Sequence, residues 1–225
     1  MPNPHLLIEP LMWQEAVLSS RIEGTRASLS DLLEADALEV RAKDQTPDVR
    51  EVRNYIHAMT HGLGRLASLP LSLRLVCELH EHLMRGVRGH DKTPGAFRRS
   101  QNWIGPRGST PETAPYVPPP VEEMMDCLGN WELFLHKHGE MPDLIQCAVM
   151  HEQFEAIHPF LDGNGRVGRL LITLFLIERN RLAQPLLYLS VFIEANRQDY
   201  YDLLQRVRTH GDWLSWLNGF CTVSK

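Results

Sequence analysis

The sequence predicts a mainly α-helical protein with one small β element. Along most of the 225 residues, apolar side chains recur every three or four positions, which is the period of a helix with one buried face. The stretch 86–120 is the exception, because glycines and prolines interrupt it and it has no helical period. Its apolar anchors are Phe97, Trp103-Ile104 and Tyr116-Val117. We therefore expect an ordered, hairpin-like segment there, which we name the flap.

Helix boundaries follow from the residues that favour helix ends. Pro10 suits a first turn and Gly24 favours a helix end, which predicts a first helix between them. Ser28, with Asp31 three residues later, predicts a short second helix that begins with a capping box. The remaining helices are expected from Val49 to His61-Gly62, after Ser72 and before Gly86, and over residues 121–138, 142–157, 165–180, 196–207 and 213–220.

The charge balance argues against a nucleic-acid-binding protein. The formal net charge is −5, whereas proteins that bind nucleic acid usually present a basic face. The short basic groups, Arg98-Arg99 and Arg206 with Arg208, are expected to be solvated surface charges. Nucleic acid is therefore not an expected partner of this chain.

Cysteine usage and the apolar runs indicate a cytoplasmic protein. The four cysteines include no C-x-x-C pair, which argues against a zinc ribbon or a thioredoxin-type motif and suggests reduced thiols. The N-terminus lacks the basic and then apolar pattern of a signal peptide. The longest apolar run, residues 170–177, is too short to span a bilayer. We expect no membrane partner.

The segment 158–169 combines a turn with a helix N-terminus. Pro159 disfavours a helical conformation at His158, so the preceding helix should end there. Gly163 and Gly165 permit unusual backbone angles and the close approach of a ligand. The next helix should begin near Gly165 and point its free N–H groups into the turn. Such a helix start is a binding site for anions.

The charged side chains of this segment point to phosphate chemistry. Arg166 and Arg169 lie on one face of the first helical turn, where each cation costs roughly 0.3–1 kcal/mol unless an anion compensates for it. Asp162 can hold a Mg²⁺ ion that bridges to phosphate oxygens. His158 can accept a proton near neutral pH. Alone, each feature is typical of a helix stop, a turn or a solvated face, but together they predict a site that transfers a phosphate group.

Other candidate sites fail on spacing. His151-Glu152 is not followed by the second histidine of an H-E-x-x-H zinc helix. His80-Glu81-His82 places its two histidines on different helix faces, which suits a surface better than a metal site. No P-loop or dinucleotide-binding fingerprint is present.

The segment 158–169 resembles the Fic family signature, H-P-F-x-D/E-G-N-G-R-x-x-R, at every specified position. The resemblance implies a protein adenylyltransferase, in which the histidine takes a proton from a Ser, Thr or Tyr hydroxyl that attacks the α-phosphate of ATP. It makes His158 the base and Asp162 the Mg²⁺ ligand. The expected nucleotide contacts are an anion hole of Gly163, Asn164, Gly165 and Arg166, a γ-phosphate contact from Arg169 and an adenine contact from Tyr201.

A second motif, Ser19 to Gly24, fits the pattern S/T-x-x-x-E-G/N of self-inhibited Fic proteins. The alternative for Glu23 is an exposed helical residue before a glycine stop. In the family this glutamate pairs with the second arginine of the signature, here Arg169, and denies it to the γ-phosphate. The resemblance therefore implies that Glu23 restrains AMP transfer, and that the same site can remove AMP.

The family resemblance also implies an organisation and a set of partners. We expect an N-terminal helical region over residues 1–64 and a catalytic domain over residues 65–225. The flap should clamp the backbone of a target protein by strand addition, and a homodimer is an expected assembly. Two alternatives stay open: Fic-fold transfer of UMP, phosphate or phosphocholine, and a non-catalytic regulator that senses nucleotides.

Overall fold

The fold is a bundle of α-helices, which confirms the predicted class. A computed structural model describes residues 5–38, 44–89, 91–106, 108–185 and 189–223. Within these ranges the helices are α1 His5–Ile22, α2 Leu29–Ala37, α3 Pro47–Leu66, α4 Leu73–Met84, α5 Val121–Leu135, α6 Asp143–Ile157, α7 Asn164–Glu178, α8 Leu189–Ala195, α9 Arg197–His210 and α10 Trp213–Val223.

The helices differ from the predicted ones in two main boundaries and in one additional helix. Helix α1 begins at His5 and contains Pro10, so the proline does not mark its start. Helix α3 runs through Gly62 because this glycine lies against Leu174, where a Cβ atom would come within 2.7 Å of a leucine methyl. Close helix packing, and not a helix end, therefore explains Gly62. The short helix α8 was not predicted.

Two predicted helix starts are confirmed by their hydrogen bonds. At α2 the backbone N–H of Asp31 donates to Ser28 Oγ at 3.2 Å, and the backbone N–H of Ser28 donates to Asp31 Oδ2 at 2.7 Å. At α4 the N–H of Leu75 donates to Ser72 Oγ at 3.4 Å. Local capping chemistry thus positions both helices.

The flap contains a single antiparallel bridge in place of the predicted β-hairpin. Among the described residues, the one strand-type pairing joins Ile104 and Tyr116 through N–H to O distances of 2.9 and 3.3 Å. Prolines at 106, 115 and 118–120 lack the N–H that a longer ladder would need. The flap is therefore held mainly by contacts with the helices below it.

Helix α7 lies at the centre of the core and brings the 158–169 segment with it. Its residues from Val167 to Leu176 are almost entirely buried. Helix α6 packs along it, while α1 packs mainly on α8 and α3. The predicted domain division between residues 64 and 65 falls within α3 and stays a prediction. Of the helices that the structure describes, none has the length and apolarity needed to cross a bilayer.

Candidate active site

A cleft of about 630 Å³ opens where the N-terminus of α7, helix α9 and the flap meet. It is lined by residues from five parts of the chain: Glu23 of α1's end, Trp103 to Pro106 and Tyr116 of the flap, Glu155 and His158 at the end of α6, Gly165 and Arg169 of α7, and Tyr200, Tyr201 and Arg208 of α9. The cleft thus brings Glu23 together with His158, Gly165, Arg169 and Tyr201 of the predicted site. The other predicted site residues, Asp162, Gly163, Asn164 and Arg166, do not line it.

His158 ends helix α6 in the left-handed conformation, with φ 48° and ψ 60°. A non-glycine residue there costs about 1–3 kcal/mol and persists only where its surroundings fix it. The His158 carbonyl accepts hydrogen bonds from Arg98 Nε and Asn102 Nδ2, both at 3.1 Å. These two flap residues therefore hold the backbone turn that directs the imidazole into the cleft.

The His158 imidazole has the protonation state that a base requires. Its Nδ1 lies 3.3 Å from the backbone carbonyl of Glu155. A carbonyl only accepts hydrogen bonds, so Nδ1 carries the proton and Nε2 keeps a lone pair. Burial, followed by the positive charge of Arg208, lowers the pKa of His158 to about 4. The imidazole is therefore neutral at pH 7.

Buried side chains fix the turn between His158 and α7. Asn164 Oδ1 accepts from the N–H of Phe160 at 2.9 Å, and its Nδ2 donates to the Phe160 carbonyl at 2.8 Å. His80 stacks on the Phe160 ring at 3.7 Å. Because the N–H of Gly95 donates to His80 Nδ1, the His80 Nε2–H donates to the Asp162 carbonyl at 3.0 Å. The Asn164 side chain thus stabilises the loop. The backbone N–H of Asn164 takes no part in these bonds and could bind an anion.

The start of α7 combines an N-terminus that has no side-chain cap with a buried arginine. Its N-cap, Gly163, has φ 81° and no side chain to cap the helix, so the first N–H groups face the turn. The Arg166 side chain is 3% exposed and lies 3.8 Å from Glu51 and 3.9 Å from Asp162. Within the described ranges, its Nε and Nη1 atoms have no hydrogen-bond partner. Such a guanidinium can bind a phosphate.

Asp162 offers a single carboxylate to a cation. Its side chain is 42% exposed, and Oδ1 accepts a hydrogen bond from the N–H of Gly163 at 2.6 Å. The described residues contain no group of three or more His, Cys, Asp or Glu side chains that could hold a metal ion. A cation here would therefore take most of its ligands from bound phosphate and water, as Mg²⁺ usually does.

Arg169 is fully buried and is held by the end of α1. Its Nε donates to Ser19 Oγ at 2.8 Å, and its Nη2 donates to the Ser19 carbonyl at 3.0 Å and to Glu23 Oε1 at 2.7 Å. Burial, the largest single effect, works to raise the pKa of Glu23, but the charge and the hydrogen bond of Arg169, together with the charge of Arg166, lower it overall. Glu23 and Arg169 therefore form an ion pair at neutral pH.

The Glu23 carboxylate also lies against the start of α7. A Cβ atom added at Gly165 would come within 2.2 Å of Glu23 Oε1. The carboxylate thus stands at the position where the free N–H groups of the helix and Arg169 would meet a phosphate. In this structure an acidic side chain already satisfies part of the anion site.

Tyr201 lies at the end of the cleft formed by α9. Its side chain is partly exposed, and the Arg197 guanidinium lies 5.7 Å from the centre of its ring. Neighbouring Tyr200 is buried and donates its hydroxyl proton to His151 Nε2 at 2.8 Å, because His151 Nδ1–H donates to the Gly168 carbonyl. Tyr201 is therefore the tyrosine of the two that a ligand can reach.

Comparison with protein-family models identifies the family of the chain. Residues 70–176 match the model of the Fic/DOC family, and residues 1–64 match the model of the Fic/DOC family N-terminal region. The chain belongs to the Fic/DOC family.

Relatives of the chain include curated Fic proteins. It is 28% identical over 192 residues to a probable protein adenylyltransferase of Aquifex aeolicus, covering 85% of this chain and 56% of the relative. It is 33% identical over 147 residues to the protein adenylyltransferase Fic of Aedes aegypti, covering 63% of this chain and 25% of the relative. The chain thus spans about half of the first protein and a quarter of the second.

Solved structures with the same fold are also Fic proteins. A Fic family protein from Desulfovibrio desulfuricans superimposes with a TM-score of 0.80 at 23% identity, covering 98% of this chain and 64% of that one. A Fic domain containing signaling protein from Bacteroides thetaiotaomicron gives a TM-score of 0.75 at 16% identity, covering 98% and 86%. These similarities show the Fic fold.

Several residues that support the Fic site escaped the sequence analysis. Arg98 and Arg208 were expected to be solvated, but Arg98 is 1% exposed and the Arg208 side chain is 7% exposed. Arg208 lies 4.4 Å above the Tyr116 ring and 3.9 Å from Glu152. His80 was expected at the surface and is buried. A signal for His80 exists, because it lies four residues after Val76 on the apolar face of α4.

Proposed function

We propose that this chain is a protein adenylyltransferase that moves AMP from ATP to a Ser, Thr or Tyr hydroxyl of a target protein. The observation that carries the proposal is a neutral, largely buried histidine in the same cleft as the buried Arg169 and the N-terminus of α7, whose first turn also carries the buried Arg166. A neutral base beside a preorganised anion site suits a reaction whose main requirements are positioning and charge neutralisation.

The proposed reaction joins the target oxygen to the α-phosphorus of ATP. His158 Nε2 takes the proton of the target hydroxyl, and the hydroxyl oxygen forms a bond to the α-phosphorus of ATP. The bond from that phosphorus to the β-bridging oxygen breaks, and its electron pair leaves with pyrophosphate. The products are an AMP–protein ester, pyrophosphate and a protonated His158.

Each part of the cleft has a role in this proposal. The phosphates are bound by the backbone N–H groups of Asn164 and Gly165, and by the Arg166 nitrogens that have no hydrogen-bond partner among the described residues. Gly163 precedes these groups, and its own N–H donates to Asp162. Arg169 binds the γ-phosphate once Glu23 has moved away. Tyr201 contacts the adenine, since aromatic rings stack on bases.

The magnesium ion that Fic proteins are expected to use fits Asp162. This carboxylate is partly exposed and lies beside the anion site, and Mg²⁺ is commonly held by one carboxylate together with substrate phosphates. When bound, the ion would neutralise charge on the phosphate oxygens.

The target protein is proposed to bind along the flap. Trp103 and Val117, which adjoin the bridged residues Ile104 and Tyr116, are exposed, and Trp103 lines the cleft. The flap is fastened to the body because Tyr116 Oη donates to the Ala156 carbonyl at 2.9 Å and Gln205 Nε2 donates to the Pro115 carbonyl at 3.0 Å. A fixed flap can pair its backbone with an extended target segment and bring a hydroxyl to His158.

Glu23 is proposed to restrain the transfer. Its carboxylate pairs with Arg169 and lies against Gly165, so it competes with the γ-phosphate for both. The same carboxylate can orient a water for removal of AMP. The water would give a proton to Glu23 as its oxygen bonds to phosphorus, while the bond to the target oxygen breaks and a protonated His158 gives its proton to that oxygen. The four free cysteines suit the reducing cytoplasm as the place of the reaction.

A labelling experiment tests the function. A Glu23→Gly variant is incubated with ATP labelled at the α-phosphate, ATP labelled at the γ-phosphate, or UTP labelled at the α-phosphate, and modified proteins are identified by mass spectrometry. The proposal expects incorporation from α-labelled ATP alone, with the mass of AMP. Preferential use of UTP or of the γ-label would assign a different transfer reaction. Nucleotide binding without any transfer would support the regulator instead.

A further inference from the structure

Glu155 brings a buried carboxylate close to His158. The residue lies one turn before His158 on α6, lines the cleft and is 6% exposed. Its Oε2 is 4.0 Å from His158 Nδ1. This distance is too long for a hydrogen bond, and the Nδ1 proton is directed to the backbone carbonyl of the same residue. The carboxylate can therefore act on the imidazole through its charge.

The fold leaves room for this carboxylate at Gly168. A Cβ atom on Gly168 would come within 2.6 Å of Glu155 Oε1. In the part of the chain that the structure describes, Oε1 has no hydrogen-bond partner. Leaving a buried carboxylate oxygen unpaired is costly, so stability does not explain why a glutamate stands here.

Charged groups of both signs surround Glu155 and His158. Those that act on Glu155 or His158 come from α1, the flap, α6, α7 and α9: Glu23, Arg98, Glu152, Arg169, Tyr200 and Arg208. Burial raises the pKa of Glu155 to about 7, against the opposing effect of Arg169. Glu155 therefore changes its charge near neutral pH, while His158 stays neutral down to a pH of about 4.

Proton transfer creates a positive charge in this buried place. When His158 accepts the proton of the target hydroxyl, it becomes an imidazolium with Arg208 nearby, and a buried cation beside another cation is unfavourable. We propose that the ionised carboxylate of Glu155 is the counter-charge that stabilises this imidazolium. Glu155 is then a positioning residue that acts through His158, in the way that the aspartate of a Ser-His-Asp triad supports its histidine. The inference rests on the proposed role of His158 as the base.

The proposal predicts that transfer becomes slower as the pH falls. Glu155 is ionised above its pKa and protonated below it, so the counter-charge is lost as the pH falls through about 7. His158 is still neutral there and still able to act as a base. We expect kcat/KM to fall with pH through about 7 to a lower plateau, and not to zero. The plateaus should differ by roughly 10- to 100-fold, the order of an ion pair across about 4 Å.

The experiment compares Glu155→Gln with its parent, both carrying Glu23→Gly. AMP transfer is measured between about pH 5 and about pH 9 with excess Mg²⁺, so that the nucleotide keeps one charge state. In this parent the step should lie somewhat below pH 7, because the negative charge of Glu23, which raises the pKa of Glu155, is absent. The glutamine variant should lack the step and run at the level of the parent's lower plateau throughout. A matched control is Glu152→Gln, a buried carboxyl one turn earlier on α6, which should keep the step.

Two results would overturn the proposal. One is a Glu155→Gln variant that keeps the step near pH 7, whether or not its rate is lower. The other is a rate equal to that of the parent above about pH 8. If the parent transfers no AMP, the proposed function fails, and NMR titration of labelled histidines decides the inference separately. The His158 resonance, assigned with His158→Ala, should shift near pH 7 as Glu155 ionises about 4 Å away, and Glu155→Gln should remove that shift. A His158 resonance that does not respond to Glu155→Gln in this range would refute the counter-charge.

Discussion

The two ends of the cleft differ in whether their key side chain is available. The imidazole of His158 is free to accept a proton, whereas the guanidinium of Arg169 is already paired. At the His158 end, flap residues and the end of α6 hold a neutral imidazole with Nε2 available. At the other end, Glu23 occupies Arg169 from 146 positions away in the chain. Under the proposed function, the base is therefore ready, while the arginine that would bind the γ-phosphate is paired with Glu23. Activation would then require only that Glu23 release Arg169, and no rearrangement of the turn at His158.

The largest effect is expected at the His158 end. His158→Ala, in the Glu23→Gly background, should lower AMP transfer by roughly 10²–10⁴ because a positioned base is lost. ATP binding, measured by calorimetry, should stay within a few-fold, since the helix N-terminus and both arginines remain. A variant that transfers AMP at the parent's rate would remove His158 from the mechanism.

A smaller effect is expected at the Arg169 end. Arg169→Ala, again with Glu23→Gly, removes a charged hydrogen-bonding group, which contributes about 1.5–3 kcal/mol, or roughly 10- to 100-fold in affinity. The loss should be seen for ATP but only weakly for AMP, which has no γ-phosphate. Equal losses for both nucleotides would mean that Arg169 is structural or contacts only the α-phosphate.

The smallest predicted effect concerns how α1 is attached to α7. Ser19→Ala leaves the buried Nε of Arg169 without its hydroxyl acceptor and should lower the free energy of unfolding by roughly 1–3 kcal/mol. Ser20 is the matched control. Its hydroxyl is equally buried, but among the described residues it has no hydrogen-bond partner, so Ser20→Ala should change stability by less than about 0.5 kcal/mol.

Urea unfolding of the two serine variants distinguishes specific anchoring from general packing. Similar losses for both would show that Ser19 contributes only by filling space. The attachment of α1 through Arg169 would then be no stronger than its other contacts.

Much of the fold could be predicted because its signals are local. Helix periods and the caps at Ser28 and Ser72 act within a few residues, and most helices were placed correctly. Helix α8 was missed because it is only seven residues long and offers too few turns for a period. The flap was recognised by its glycines and prolines, but these same prolines limit its pairing to one bridge.

The candidate site was predictable where twelve consecutive residues carry it, from His158 to Arg169. Its supports were not predictable, because their partners lie far along the chain. Arg98 binds the carbonyl of a residue 60 positions later, and His80 binds one 82 positions later. Glu155 was overlooked for another reason. A charged residue in a helix looks like surface until burial of its carboxylate is seen.

The central claim is that Glu23 alone separates a ready base from its nucleotide. Its most direct test is the rate of AMP incorporation by the unmodified chain and by Glu23→Gly, measured side by side at saturating ATP and Mg²⁺. The account predicts a rise of about tenfold or more, which needs only about 1.4 kcal/mol of restraint removed. Arg21→Gly, a change at an exposed neighbour, should leave the rate unchanged, and adding Arg169→Ala to Glu23→Gly should abolish the gain. An unmodified chain that already transfers AMP as fast as Glu23→Gly would contradict it.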